Sequence, residues 1–250
     1  MRILLLNPNT TGAMTERMRA AGQSVAAAGT DLVALTAPRG VPYIATRAEA
    51  QIGGAIVLEM LAEHHRTADA AIIAAFGDPG LLGARELFDI PVVGMAEAAM
   101  LAACMLGRRF SIVTFARALG PWYEDCVAMH GLSGRCASIR MLDSAIQSVP
   151  DVQEEKEALL VELANRAVVE DEADVIILGG GPLAGLAAKV ADRIPVPVVD
   201  QMQAAVKLAE ALVALKTRKA TAGTFRRPDA KANFGLADAL GRRIAHEDKA

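Results

Sequence analysis

The sequence predicts an α/β protein of two pseudo-symmetric Rossmann-like lobes, each with a parallel sheet, facing one another across a cleft. Three observations predict this fold. Short apolar runs alternate with helical patterns along the 250 residues, an order that implies parallel strands joined by right-handed helical crossovers. The stretch "ADAAIIAAFGDPGLLGARELFDIPVVGMAEAAMLAA", from residue 68, returns as "ADVIILGGGPLAGLAAKVADRIPVPVVDQMQAAVKLA", from residue 173. Hydrophobic residues make up 53% of the chain and aromatics only 4%, so the core must be Ala, Val, Leu and Ile, as where parallel strands lie between helix layers.

The elements follow in order. Strands are expected at Ile3–Leu6, Leu32–Leu35, Ala71–Ala74 and Val92–Val93, and again at Phe110–Val113, Ala137–Met141, Val175–Leu178 and Val198–Val199. Apolar residues at three- and four-residue spacing predict helices over Met14–Ala27, Ala48–His65, Lys156–Val169 and Met202–Leu215. Laying one half on the other puts Ile3 over Phe110, Ala75 over Gly180 and Pro91 over Pro197, with offsets of 107, 105 and 106 residues. The expected division is a first lobe of residues 1–100, completed by the C-terminal helix and tail 205–250, and a second lobe of residues 101–204. Ligands of parallel sheets bind beyond the C-terminal strand ends, so the function belongs to the loops that follow the strands.

Composition narrows the classes. No window approaches the roughly 18 apolar residues of a membrane span, and the N-terminus has no cleavable leader pattern; a cytoplasmic protein with no membrane partner is expected. The net charge is −3. The basic stretch after Leu215 lacks the aromatic interleaving of a nucleic-acid surface. Cys104, Cys126 and Cys136 form an odd set without CxxC spacing, which argues against disulfides and thiolate metal sites. His64 and His65 cannot face the same way on a helix, and with His130 and His246 they have no metal-binding or catalytic spacing. No metal and no cofactor are expected.

Four loops carry the candidate site. In "LNPNTTGAM", Asn7, Asn9, Thr10 and Thr11 exceed what one helix cap needs and could hold a carboxylate or imide carbonyl with the helix N–H groups; the loop lacks the glycine run and Lys-Ser/Thr ending of a phosphate loop. In "AAFGDPGL", Ala75, Phe76 and Gly77 precede Asp78, which either caps a helix or faces a ligand. In "LGGGPLAGL", Gly179, Gly180, Gly181 and Pro182 offer bare backbone donors but no acid or base. In "FSIVTFARALGPWYEDC", Thr114 and Phe115 end a strand in register with Asn7, and Trp122 with Tyr123 could wall a flat ring. Tyr43 and Arg47, in "VPYIATRAEA", form a further polar pair.

Together, "LNPNTT", "FGDPGL", "PVVGMAEAA", "GRRFSIVT", "LAGLA", "PVVDQMQAAVKLAEAL" and "RRPDAKANFGL" resemble, in this order and over nearly the whole chain, the aspartate/glutamate/hydantoin racemase superfamily in its hydantoin and allantoin racemase branch. The resemblance implies an active site between the lobes and cofactor-independent chemistry at a carbon beside a carbonyl. It also implies two cysteines facing the substrate from opposite lobes, because inversion needs an acid/base group on each face of a planar intermediate. Those two positions are Ala75 and Gly180 here. The expectation is a hydantoin racemase-like protein, a homo-oligomer, acting on a small cyclic amide or amino-acid derivative, with two-cysteine racemisation lost. The alternatives are a hydrolase or lyase using Asp78 or Tyr123, and a non-catalytic binding protein.

Overall fold

The computed structural model describes residues 1–143 and 151–248. The last two residues of the expected C-terminal tail, and 144–150 of the expected second lobe, lie outside them. Among the described residues eight strands fall in two groups of four: β1 (Arg2–Asn7), β2 (Asp31–Thr36), β3 (Ala70–Ile73) and β4 (Val92–Gly94), then β5 (Phe110–Thr114), β6 (Cys136–Met141), β7 (Val175–Leu178) and β8 (Val198–Asp200). Each group forms one sheet, in the orders β2-β1-β3-β4 and β6-β5-β7-β8. All pairings are parallel. The sheets are thus the same design twice, as the internal echo predicts.

The helices are α1 (Gly12–Gln23), α2 (Arg47–His64), α3 (Leu81–Leu87), α4 (Met95–Leu106), α5 (Gly120–Met129), α6 (Val152–Glu170), α7 (Ala187–Val190), α8 (Gln201–Leu215) and α9 (Asp238–Ala245). The start of α2 is fixed by a capping box in which Thr46 and Glu49 satisfy each other's backbone N–H. By contrast α1 stops at Gln23 rather than running to Ala27. The Glu210 carboxylate of α8 accepts from the Ala27 N–H at 2.8 Å and the Thr30 hydroxyl at 2.7 Å, which draws that segment out of helical register. Pro121 sits in the first turn of α5, where its missing N–H costs nothing.

Helices α4 and α8 cross over. After β4, α4 packs on β5, β7 and β8 of the other sheet; after β8, α8 packs on β3 and β4 of the first and against α4 and α1. The boundaries read at residues 100 and 205 therefore fall inside these two helices. One apolar cluster runs unbroken from Ile3, Leu5 and Ile72 through Met100 and Val206 to Ile112 and Ile177. A second, with Leu4, Leu6 and Ile73, lies under α2, α3 and Leu240 of α9. The C-terminal tail is pinned by Arg243, whose guanidinium donates to Leu87 O and Asp89 and stands 5.5 Å from the Phe88 ring centre. Among the described residues, no helix is long and apolar enough to cross a membrane.

Candidate active site

The loops after β3 and β7 bring Ala75 and Gly180 to one pocket of about 30 Å³ between the sheets. Asn9, Met14, Tyr43, Ile44 and Phe76 line it from the first half, and Phe115, Trp122, Tyr123, Gly181 and Pro182 from the second. Aromatic rings fill the space: the centroids of Phe76 and Tyr123 are 4.7 Å apart, those of Trp122 and Tyr123 5.7 Å, and those of Tyr43 and Phe115 5.9 Å. What remains holds about two waters.

Two phenols face this space. The Tyr43 hydroxyl is buried without a hydrogen-bond partner, and burial, then the nearby Glu49 charge, lifts its pKa far above the ordinary phenol range. Burial, then proximity to Tyr43, does the same to Tyr123. Both are neutral donors at physiological pH. Tyr123 is hydrogen-bonded to Thr114, whose hydroxyl donates to Gly179 O at 2.8 Å, so the phenol begins a short chain of hydrogen bonds into the glycine loop.

Gly180 explains why that loop is glycine. Its φ is +122°, and a Cβ there would stand 2.7 Å from a Phe115 ring carbon and 3.4 Å from the Tyr123 oxygen. The Tyr123 hydroxyl thus lies beside the place where a side chain at position 180 would begin. Gln201, buried at the start of α8, clamps the Gly180 backbone: its Oε1 accepts the Gly180 N–H at 2.8 Å and its amide donates to Gly180 O. None of the three cysteines lines the pocket. Burial pushes the Cys126 thiol well up, helped by Asp78 and Glu97, and pushes Cys136 up to about 11, so neither offers a thiolate at neutral pH.

Several residues expected at the ligand stand behind it instead. Asn7 is spent on Asn9, Thr15 and Thr11 O, which shapes the loop. Thr10 is exposed, with its N–H on Val41 O. Gly179 is closed over by Ile112 and Phe76, Thr114 acts through the Gly179 carbonyl, and Gly77 lies beneath the Trp122 indole. Arg47 reaches across the lobes to Asp125 and Pro121 O.

Asp78, expected as a catalytic group, turns away from the pocket. Its carboxylate accepts the N–H groups of Ala96 and Glu97 at 2.9 and 2.8 Å, and so caps α4, not the helix that follows Asp78 in sequence. The reason is Gly94: a Cβ there would come within 2.4 Å of this carboxylate, and its absence makes the room. The capped oxygen also meets His130 Nε2 at 3.0 Å, while His130 Nδ1 lies 3.4 Å from Glu97, which Arg85 pairs in turn. Asp78, Cys126 and His130 bring ligand-capable atoms within 4.8 Å of one another. There, burial, which alone would lower His130, is outweighed by hydrogen bonds to Asp78 and Glu97 that raise it to about 9, so the imidazolium pairs with both carboxylates at neutral pH.

The sequence reading missed Met14, Ile44, Gln201 and His130. Gln201 left a signal, since the repeat puts it over apolar Met95. His130 left none, because its partner Asp78 is 52 residues away.

Known proteins match this architecture over nearly its whole length. The family model for Asp/Glu/Hydantoin racemase matches residues 3–209. A hydantoin racemase from Paenarthrobacter aurescens is 35% identical over 92% of this chain and 99% of its own, and one from a Pseudomonas strain is 35% identical over 97% and 98%. An allantoin racemase from Klebsiella pneumoniae superposes with a TM-score of 0.90 at 38% identity, covering 96% of this chain and 99% of that one. The duplicated sheets, the pocket between Ala75 and Gly180 and these relatives agree: the chain belongs to the Asp/Glu/hydantoin racemase family.

Proposed function

We propose that this protein is a thiol-independent member of its family, which binds a hydantoin-like cyclic amide or amino-acid derivative between Ala75 and Gly180 and acts, without a cofactor, on the carbon beside a carbonyl. The observation that carries the reading is the Tyr123 hydroxyl, beside the position of a missing side chain at Gly180, in a pocket whose other buried phenol, Tyr43, lacks a partner. Two neutral phenols in a water-poor pocket are suited to hydrogen-bonding a carbonyl as it becomes an enolate oxygen. Tyr123, in its phenolate form, is also the group able to take up a proton on the second-lobe side, becoming the phenol that returns it, while Tyr43 remains the donor to the carbonyl.

On the first-lobe side Ala75 presents a methyl. Proton traffic is therefore one-sided: a proton leaves and returns on the Tyr123 face, with retention rather than inversion. Loss of a general acid or base costs about 10²–10⁴-fold, so inversion is the step that suffers. The Ala75 methyl also supports a second reading, a binding protein without turnover. The exposed Leu101, Met105 and Leu106 along α4 and the fully exposed Phe234 support a homo-oligomer, which we place in the cytoplasm.

The test is to incubate L- and D-hydantoins with the protein in D₂O and follow the α-proton by NMR and handedness by polarimetry. Slow deuterium uptake with retained optical activity is expected. Rapid racemisation would overturn the one-sided mechanism, and binding without exchange would leave the binding protein.

A further inference from the structure

Behind Trp122 lies a second cavity, of about 560 Å³, that shares Trp122 with the pocket between Ala75 and Gly180. The indole is the wall the two have in common. It lies so close on the Gly77 backbone that a Cβ at Gly77 would come within 2.3 Å of it, so the glycine, at φ +122°, is what lets the indole seat there. Small residues at Ala50, Ala55 and Gly83 leave the cavity its room, with Leu58 and Met129 adding apolar wall. Its charged lining is already compensated. Arg47 and Asp125 pair with each other across its rim, and the Asp78 carboxylate is spent on α4 and His130.

We propose that this cavity is the subsite for a bulky apolar substituent, such as an aryl group, carried by the cyclic amide, and that Trp122 is the residue that decides which substituents pass. The inference rests on the reading of the interlobe pocket as the ring site. That pocket holds about two waters, less than the ring alone occupies, so it must widen to admit the ring and has no space left for a bulky substituent, and the larger cavity meets it at the Trp122 side chain that lines both. An indole that swings off Gly77 joins the two spaces without parting the sheets. Because no charge on the cavity wall is left unpaired, burying an apolar group there strands no ion.

Trp122 is the only tryptophan in the chain, so its fluorescence reports the shared wall directly. Hydantoin and 5-benzylhydantoin are titrated against the wild type, Ala55→Phe and Gly83→Leu, with calorimetry as an independent measure of affinity. Ala55 is exposed, and a Cβ at Gly83 meets nothing closer than Leu58 at 3.9 Å, so both replacements fill the cavity from outside the core. The expected result is that each variant loses roughly tenfold or more in affinity for 5-benzylhydantoin, the scale of an overpacked site, while hydantoin, with nothing to place in the cavity, binds as before. That unchanged binding also certifies the fold. Unaltered affinity of both variants for 5-benzylhydantoin would overturn the subsite while leaving the ring site standing. Failure of the wild type to bind either compound would overturn the ring site, and the subsite with it.

Discussion

His130 Nε2 lies 3.0 Å from Asp78 Oδ2, a hydrogen bond spanning 52 residues that ties the end of α5 to the loop after β3. Tyr123 and Trp122 ride on α5, so the bond holds the pocket's aromatic wall against the other lobe. The His130 side chain is only 5% exposed, and Asp78, Glu97, Arg85 and Cys126 are the titratable or charged groups around it.

This clasp makes stability depend on pH at both ends. The folded-state pKa of His130 is raised from 6.5 to about 9, so its contribution is complete below 6.5 and is lost as pH rises through about 9. Burial would raise Glu97, but hydrogen bonds to His130 and Arg85 hold it down to about 2, from 4.5; its contribution is present above 4.5 and is lost as pH falls through about 2. Urea unfolding should therefore find a plateau between pH 4.5 and 6.5. His130→Gln should lower it by about 3 kcal/mol, the order expected when one partner of a buried pair is removed, and should flatten the fall between pH 7 and 9. An undiminished fall in the variant would assign the titration elsewhere.

Alkylation should leave any activity intact. No cysteine lines the pocket, and Cys126 and Cys136 are held as thiols. Iodoacetamide at pH 7.5 should change α-proton exchange by no more than a few-fold, with mass spectrometry reporting the extent of labelling. Stoichiometric inactivation, prevented by hydantoin, would show that a thiol had been recruited.

Tyr123→Phe should lower α-proton exchange by about 10²-fold or more, as for loss of a general acid or base, with little change in hydantoin affinity. Tyr43→Phe should weaken binding instead. Because burial raises the Tyr123 phenol, the reactive phenolate is scarce at neutral pH, and the wild-type exchange rate should climb about tenfold per pH unit from 7 to 10. A rate that levels off below pH 8 would exclude Tyr123 as the base.

A thiol should be useful on one side only. Ala75 already carries a Cβ that faces the pocket, so Ala75→Cys adds a proton carrier opposite Tyr123 and should convert slow exchange with retention into measurable racemisation of hydantoins. Adding Tyr123→Phe to it should remove the gain. Gly180→Cys, at φ +122° and 2.7 Å from Phe115, should lower the melting temperature and gain nothing. Polarimetry and thermal unfolding of the three variants decide the matter.

The sheets were readable because parallel strands buried on both faces leave continuous apolar runs, and because the duplication repeats them at a near-constant offset. The pocket wall was readable where rare residues mark it: Trp122, Tyr123 and Tyr43 stand out in an aromatic-poor chain. Asp78 was harder, since a local loop suggests a local cap, whereas its partner is α4, eighteen residues on, admitted by the missing side chain of Gly94. The exchange of α4 and α8 between the sheets is also invisible in periodicity, because an alanine-rich helix has the same pattern whichever sheet it covers.

That exchange bears on how the chain comes off the ribosome. Met202, Ala205, Val206 and Ala209 of α8 are fully buried, and α8 lies on β3 and β4, so the first sheet stays uncovered on that side until residue 215 has been made. The usual order of synthesis, in which an N-terminal half folds while the rest is still emerging, is closed to this architecture. The nascent first half must wait, with its apolar inner face open, for a helix encoded more than a hundred residues downstream.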